Sequence, residues 1–248
     1  MRTPTNSAIR LIILILGIAL CTNLQAAGNN ATQSEKTNSR PAAETLDDPL
    51  IVSTNHRIRT HSGDLQYTAR AGEVSIPEDS TQKAAARIFF VAYELDTDRP
   101  QDRPLTFAFN GGPGAASVWL HLGAMGPKIV RMHQDGSPPS PPVRLTGNPL
   151  TWLAFSDLVF VDPVGTGYSR SLDREKAERF WGVKADVRSV AEFIRRYLNT
   201  RSRWLSPKFL VGESYGSTRA AALTTHLDEA YGIRLNGAVL ISPALDFA

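Results

Sequence analysis

The sequence is nearly without cysteine. Cys21 is the one thiol among 248 residues, and it lies in an apolar stretch near the N-terminus. Disulfides are therefore excluded as the source of stability, and a chain this long must rely on a buried core. No run of Lys or Arg occurs either. The 27 basic residues face 24 acidic ones for a net charge of +3, and Arg2 and Arg10 belong to the basic set. A nucleic-acid partner would call for a basic patch, so that class is set aside. Neither a CxxC nor an HExxH spacing is present, nor a phosphate-binding loop, nor a dinucleotide fingerprint; no metal and no cofactor are expected. Finally, there is no apolar run of about 20 residues, the length that crosses a bilayer.

What is present starts at the N-terminus. Arg2 and Arg10 flank a short polar segment, residues 11–20 are nearly pure aliphatic, and Ala26 and Ala27 follow. A basic start, a short apolar centre and a small-residue exit describe a cleaved secretory signal over residues 1–27. The expected location is secreted or periplasmic, with no stable membrane association after cleavage. Residues 28–48 carry almost no apolar side chains and read as a disordered linker. That leaves residues 49–248 as one folded domain, in a chain whose apolar share is 42%.

Within the domain, alternation over residues 56–73 around Ser62-Gly63-Asp64 predicts a β-hairpin. Residues 86–95 (ARIFFVAYEL), 105–109 (LTFAF), 157–161 (DLVFV), 209–212 and 235–241 read as strands. Residues 117–124 form a short apolar helix, and the Pro-rich stretch 137–143 an open surface loop. Val183, Val187, Val190, Ile194 and Tyr197 recur at helical steps, so 182–199 is an amphipathic helix; residues 215–230 read as a further helix. Strands alternating with helices predict an α/β fold: a mostly parallel sheet with helices on both faces.

The sharpest local pattern is Gly212-Glu213-Ser214-Tyr215-Gly216, between an expected strand and an expected helix. In that context a Gly-x-Ser-x-Gly string lifts the serine hydroxyl above the sheet, where a neighbouring base can activate it. The competing reading is an ordinary strand–helix junction with Ser214 as N-cap. A second pattern, Asn110-Gly111-Gly112-Pro113-Gly114, follows an earlier strand. Glycines there let backbone N–H groups approach a developing oxyanion. The donors are assigned as the N–H of Gly112 and of Tyr215.

These two motifs, with Asp162-Pro163-Val164-Gly165-Thr166-Gly167-Tyr168-Ser169 between them, resemble the serine carboxypeptidase family over residues 55–248. The resemblance implies an α/β-hydrolase fold and a peptidase that acts on peptides with a free C-terminus. It places carboxylate recognition on Asn110 and Glu213, with Gly111 in the same substrate-binding set. Glu213 could donate to a carboxylate only when protonated, which favours acidic pH. The sequence departs from the eukaryotic members at Ala124, where they have a further Glu, and at Ala115, where they have Cys. The middle motif also resembles proline iminopeptidases, so an esterase, acyltransferase or aminopeptidase-like relative stays open, as does a non-catalytic fragment.

A serine nucleophile needs a histidine and an acid, which in this fold follow the serine in that chain order, acid first. His226, twelve positions on, belongs to the elbow helix and is expected at its surface. His56, His61, His121 and His133 precede Ser214, and His121 is expected to pack beside Trp119. Asp228, Glu229 and Asp246 are misplaced for the acid. The resemblance implies that both residues, and the last strands, lie beyond residue 248, so this chain alone is expected to be inactive.

Overall fold

The computed structural model describes residues 51–78 and 81–244. The expected signal (1–27) and linker (28–48) lie outside the described residues.

Two short strands are buried at every position: β4 (Leu105–Phe109) and β7 (Asp157–Val161). A strand apolar on both sides must be covered on both sides, and these two lie next to each other in the sheet centre. Outward from them the order is β1 (Ile51–Thr60), β2 (Gly63–Pro77), β3 (Ala84–Leu95), β7, β4, β9 (Lys208–Glu213) and β10 (Gly237–Ile241), with β8 (Arg170–Ser171) paired to β3. The strands from β7 to β10 run parallel, whereas β1, β2, β3 and β7 pair antiparallel. The sheet is thus mixed as a whole, and parallel in the half that carries the site. The hairpin expected over 56–73 exists but is longer, because β2 stays paired to β3 as far as Pro77. A small hairpin, β5 (Lys128–Val130) with β6 (Leu145–Gly147), holds the Pro-rich loop.

One short helix, α1 (Val118–Leu120), continues as a wider turn over His121–Met125. The two long helices are α2 (Val183–Thr200) and α3 (Tyr215–Tyr231). In α2, Val187, Val190, Ala191, Ile194, Tyr197 and Leu198 form one buried stripe. That stripe, with Ala220, Leu223 and Leu227 of α3, packs on Phe90, Phe107, Val159 and Val161 of the sheet. The other face carries Ala108, Leu158, Phe160 and Val211, which cluster with Ile58 and Tyr67 of the same sheet and with Leu120, Met125 and Leu153 from outside it. Both faces carry helical segments, but unequally: the long helices share one face.

The decisive consequence is the register. Phe109 at the end of β4 lies opposite Gly212 of β9, so the residues that follow each strand emerge side by side. Both turns leave from the carboxyl ends of adjacent parallel strands, where ligands bind in sheets of this kind.

Candidate active site

Ser214 stands between β9 and α3 with φ 57° and ψ −125°. A non-glycine residue at such a φ costs of order 1–3 kcal/mol unless its surroundings impose it. Here they do. The Ser214 N–H donates to Ile241 O at 2.9 Å, Ser217 N–H donates to Ser214 O at 2.9 Å, and the Ser217 hydroxyl donates to Gly212 O at 3.0 Å. Although Ser214 is the residue that precedes α3, its side chain makes no capping hydrogen bond. The N-cap reading is overturned: the half-exposed hydroxyl is not used to hold the helix.

Tyr215 is the first helical residue, so its N–H has no carbonyl one turn back. Against it lies the glycine turn. A Cβ on Gly111 would collide with the Tyr215 backbone nitrogen and stand 2.7 Å from Glu213 O. A Cβ on Gly216 would stand 2.7 Å from Phe109 O and 3.0 Å from Asn110 O. The two backbones touch where neither can carry a side chain, which is why the motifs are written in glycine. Gly112 follows at φ 105°. The structure therefore brings Asn110 and Gly111 against Glu213 and Tyr215, from segments about 100 residues apart, with Gly112 and Ser214 next to them in the chain.

Asn110 is buried, and its side-chain amide and its backbone carbonyl are all engaged. Its Nδ2 donates to Glu213 Oε2 at 3.1 Å, its Oδ1 accepts from Leu120 N at 3.1 Å, and its carbonyl accepts from Arg219 Nη1 at 2.8 Å. Ala124, where a further carboxyl would sit in eukaryotic relatives, is exposed and offers only its carbonyl, to Asn148 Nδ2 at 2.8 Å.

The middle motif leaves β7 on the far side of β4. Asp162 accepts from Ser117 N and from Ser117 Oγ, both at 2.8 Å, and so ties that loop to the segment after the glycine turn. Burial raises its carboxyl, and the bonds from Ser117 and Tyr168 recover only part of this. Ser169 donates to Asp162 O and accepts from Phe89 N at 2.7 Å.

The histidines do not converge on Ser214. His56 and His61 sit on the β1 hairpin and His133 on an exposed loop. His226 packs edge-on against Tyr231, about 18 Å along α3 from the serine at 1.5 Å per residue. His121 was expected beside Trp119, but Trp119 is 68% exposed. The ring instead stacks on Phe160 at 4.4 Å and bonds Tyr93 Oη at 2.6 Å, and burial pushes its pKa down to about 3.

Sequence reasoning missed Arg219 and Asp186. Arg219 is 2% exposed, and its Nε donates to Asp186 Oδ2 at 2.8 Å. The available signal was an arginine in the small apolar run Ala220-Ala221-Ala222, one turn after Tyr215.

Comparison with known proteins gives the following. The family model described as serine carboxypeptidase matches residues 62–247. Serine carboxypeptidase-like 9 of Arabidopsis thaliana is 27% identical over 213 residues, which cover 78% of this chain and 46% of that protein. Serine carboxypeptidase-like 13 of the same plant is 27% identical over 188 residues, 74% of this chain and 41% of its own length. This chain thus spans less than half of those relatives. Among solved structures, Kex1(delta)p, a prohormone-processing carboxypeptidase from Saccharomyces cerevisiae, aligns with a TM-score of 0.55 at 23% identity over 73% of this chain and 39% of that one.

Proposed function

We propose, for a chain that belongs to the serine carboxypeptidase family, that it carries the nucleophile, oxyanion donors and carboxylate-binding pair of an exported peptidase that removes C-terminal residues from peptides. The observation that carries this reading is Ser214 at φ 57°, with its hydroxyl unspent on capping and its neighbour's N–H pressed against the glycine turn. Ser214 Oγ would attack the scissile carbonyl and lose its proton to a histidine. The oxyanion would form facing the N–H groups of Gly112 and Tyr215. Collapse would release the C-terminal residue as the leaving amine, and water would then free the acyl-serine. Asn110 and Glu213, already bonded to each other, would take the substrate's terminal carboxylate, with Gly111 beside them. Export rests on the signal-like residues 1–27.

No described histidine reaches Ser214, so the base and its orienting acid are assigned to residues outside the described set. Two measurements on the 248-residue chain test the reading. Calorimetry should show that it binds a peptide with a free C-terminus more tightly than the same peptide as its amide, more so at acidic pH. Asn110→Ala and Glu213→Ala should erase the difference. Equal affinity for acid and amide sinks the carboxypeptidase assignment. Hydrolysis and fluorophosphonate labelling should stay at the Ser214→Ala level, and Ser214-dependent turnover would show that the base is within this chain.

The exposed Ala124, in place of a carboxyl, favours a second reading: an esterase, acyltransferase or aminopeptidase-like relative. It predicts no preference for the free acid.

A further inference from the structure

Arg219 is an arginine side chain sealed beneath the elbow, and no step of the proposed chemistry uses it. Its surroundings are specific. The Nε–H donates to Asp186 Oδ2 at 2.8 Å, and Nη1–H donates to the backbone carbonyl of Asn110 at 2.8 Å. The guanidinium plane lies 5.2 Å from the ring centre of Phe109 and 5.2 Å from that of Tyr215. Tyr215 in turn donates its hydroxyl to Asp186 Oδ2 at 3.3 Å. One side chain thereby touches the last residue of β4, the first residue of the glycine turn, the first residue of α3 and a carboxylate of α2.

We propose that Arg219, with Asp186, is the positioning residue that fixes the glycine turn against the serine elbow. This rests on the proposed function, in which that juncture forms the oxyanion site. Asn110 is where β4 ends and the turn begins. Its carbonyl is buried, where an acceptor without a donor is costly. Arg219 supplies that donor from α3, the helix whose first N–H forms the other half of the site. The distance between the two oxyanion donors is therefore set by a rigid, planar link and not by the turn's own stiffness. Arginine alone has the shape for it: donors diverging at fixed angles, and a flat cation that packs against the Phe109 and Tyr215 rings. Tyr215 and Arg219 are four residues apart, so both lie on one face of α3. Asp186 balances the buried charge and also accepts from the hydroxyl of Tyr215, whose ring packs against the guanidinium.

Site-resolved amide hydrogen exchange on the 248-residue chain tests this without requiring turnover. The reporters are hydrogen-bonded amides of the turn and elbow: Ala115 to Gly111 O, Leu120 to the Asn110 side chain, and Ser217 to Ser214 O. The references are strand amides of β3 and β7, whose pairing spans Phe90–Tyr93. In Arg219→Gln the reporters should exchange about ten- to a hundredfold faster, the loss expected for one charged buried hydrogen bond, while the references stay within twofold. Arg219→Lys keeps the charge but reaches one partner at a time, and should fall between. If Arg219→Gln does not fold, the lysine variant carries the test alone. Equal acceleration of reporters and references, or unchanged reporters in the lysine variant, overturns the proposal. The two readings fail separately: equal binding of free acid and amide removes the peptidase assignment and leaves the exchange pattern standing.

Discussion

Ser214 keeps a strained backbone because every neighbour fixes it, and that makes its glycines the least replaceable residues nearby. In Gly216→Ala the methyl would stand 2.7 Å from Phe109 O, and both partners are backbone, so a strand or a helix must move. The expected cost is about 1–3 kcal/mol, together with loss of free-acid binding; a urea midpoint unchanged from wild type would mean that the elbow is not packed as described. His121 makes a pH-dependent contribution. Its folded pKa of about 3 lies below the ordinary 6.5, so the unfolded chain takes up a proton that the folded chain refuses. Stability is whole above about 6.5 and declines as pH falls from there toward 3. In His121→Phe the melting temperature should fall less between pH 7 and pH 4 than it does in wild type, and parallel curves would contradict this. At this scale the sequence was legible where backbone geometry dictates residue type. Ser214, Gly111, Gly112 and Gly216 could be read because only certain residues fit such turns. Arg219 could not, since its partners Asp186 and Asn110 lie 33 and 109 positions away.

Among the elements, α2 is fastened to the antiparallel half of the sheet through Glu94 of β3. That carboxylate accepts from Arg70 of β2 at 2.9 Å, from Arg201 just past α2 at 2.8 Å and from Tyr197 at 2.9 Å. Burial alone would raise the Glu94 carboxyl, but the bonds from Arg201 and Arg70 prevail and its pKa is lowered below the ordinary 4.5. The stabilisation is therefore present above about 4.5 and lost as pH falls through the lower folded value. Glu94→Gln should cost about 2 kcal/mol at neutral pH, less than a fully buried pair because Arg70 and Arg201 keep some solvent. The gap to wild type should narrow as pH falls below the ordinary 4.5, and a gap independent of pH would argue against the pairing. Apolar runs located β3, β4 and β7, and helical spacing located α2, because each has one dominant burial pattern. Neither foresaw that residues 118–125 break into a short helix and a wide turn, nor that β2 continues to Pro77. Those outcomes depend on what packs against each segment.

For the whole molecule, the order β1-β2-β3-β7-β4-β9-β10 leaves β10 at the edge among the described strands, with Val239 and Leu240 41% and 42% exposed. An apolar edge strand invites pairing with another chain. The 248-residue chain should associate with rising concentration in sedimentation velocity, and Val239→Lys should reduce this; a wild type that stays monomeric would refute it. The opposite edge, β1, is better guarded, since Arg57 and Arg59 put charge along it. By itself the sequence determined the alternation of strands and helices, the strand–turn–helix around Ser214 and the glycine turn after β4. Each of these follows from residues close together in the chain, through burial period or allowed backbone angles. Only the tertiary structure decided that β4 and β9 are neighbours in a register that sets Asn110 beside Glu213. It alone decided that a buried arginine joins the turn to the elbow. Those facts depend on which distant surfaces meet, and no local preference encodes that.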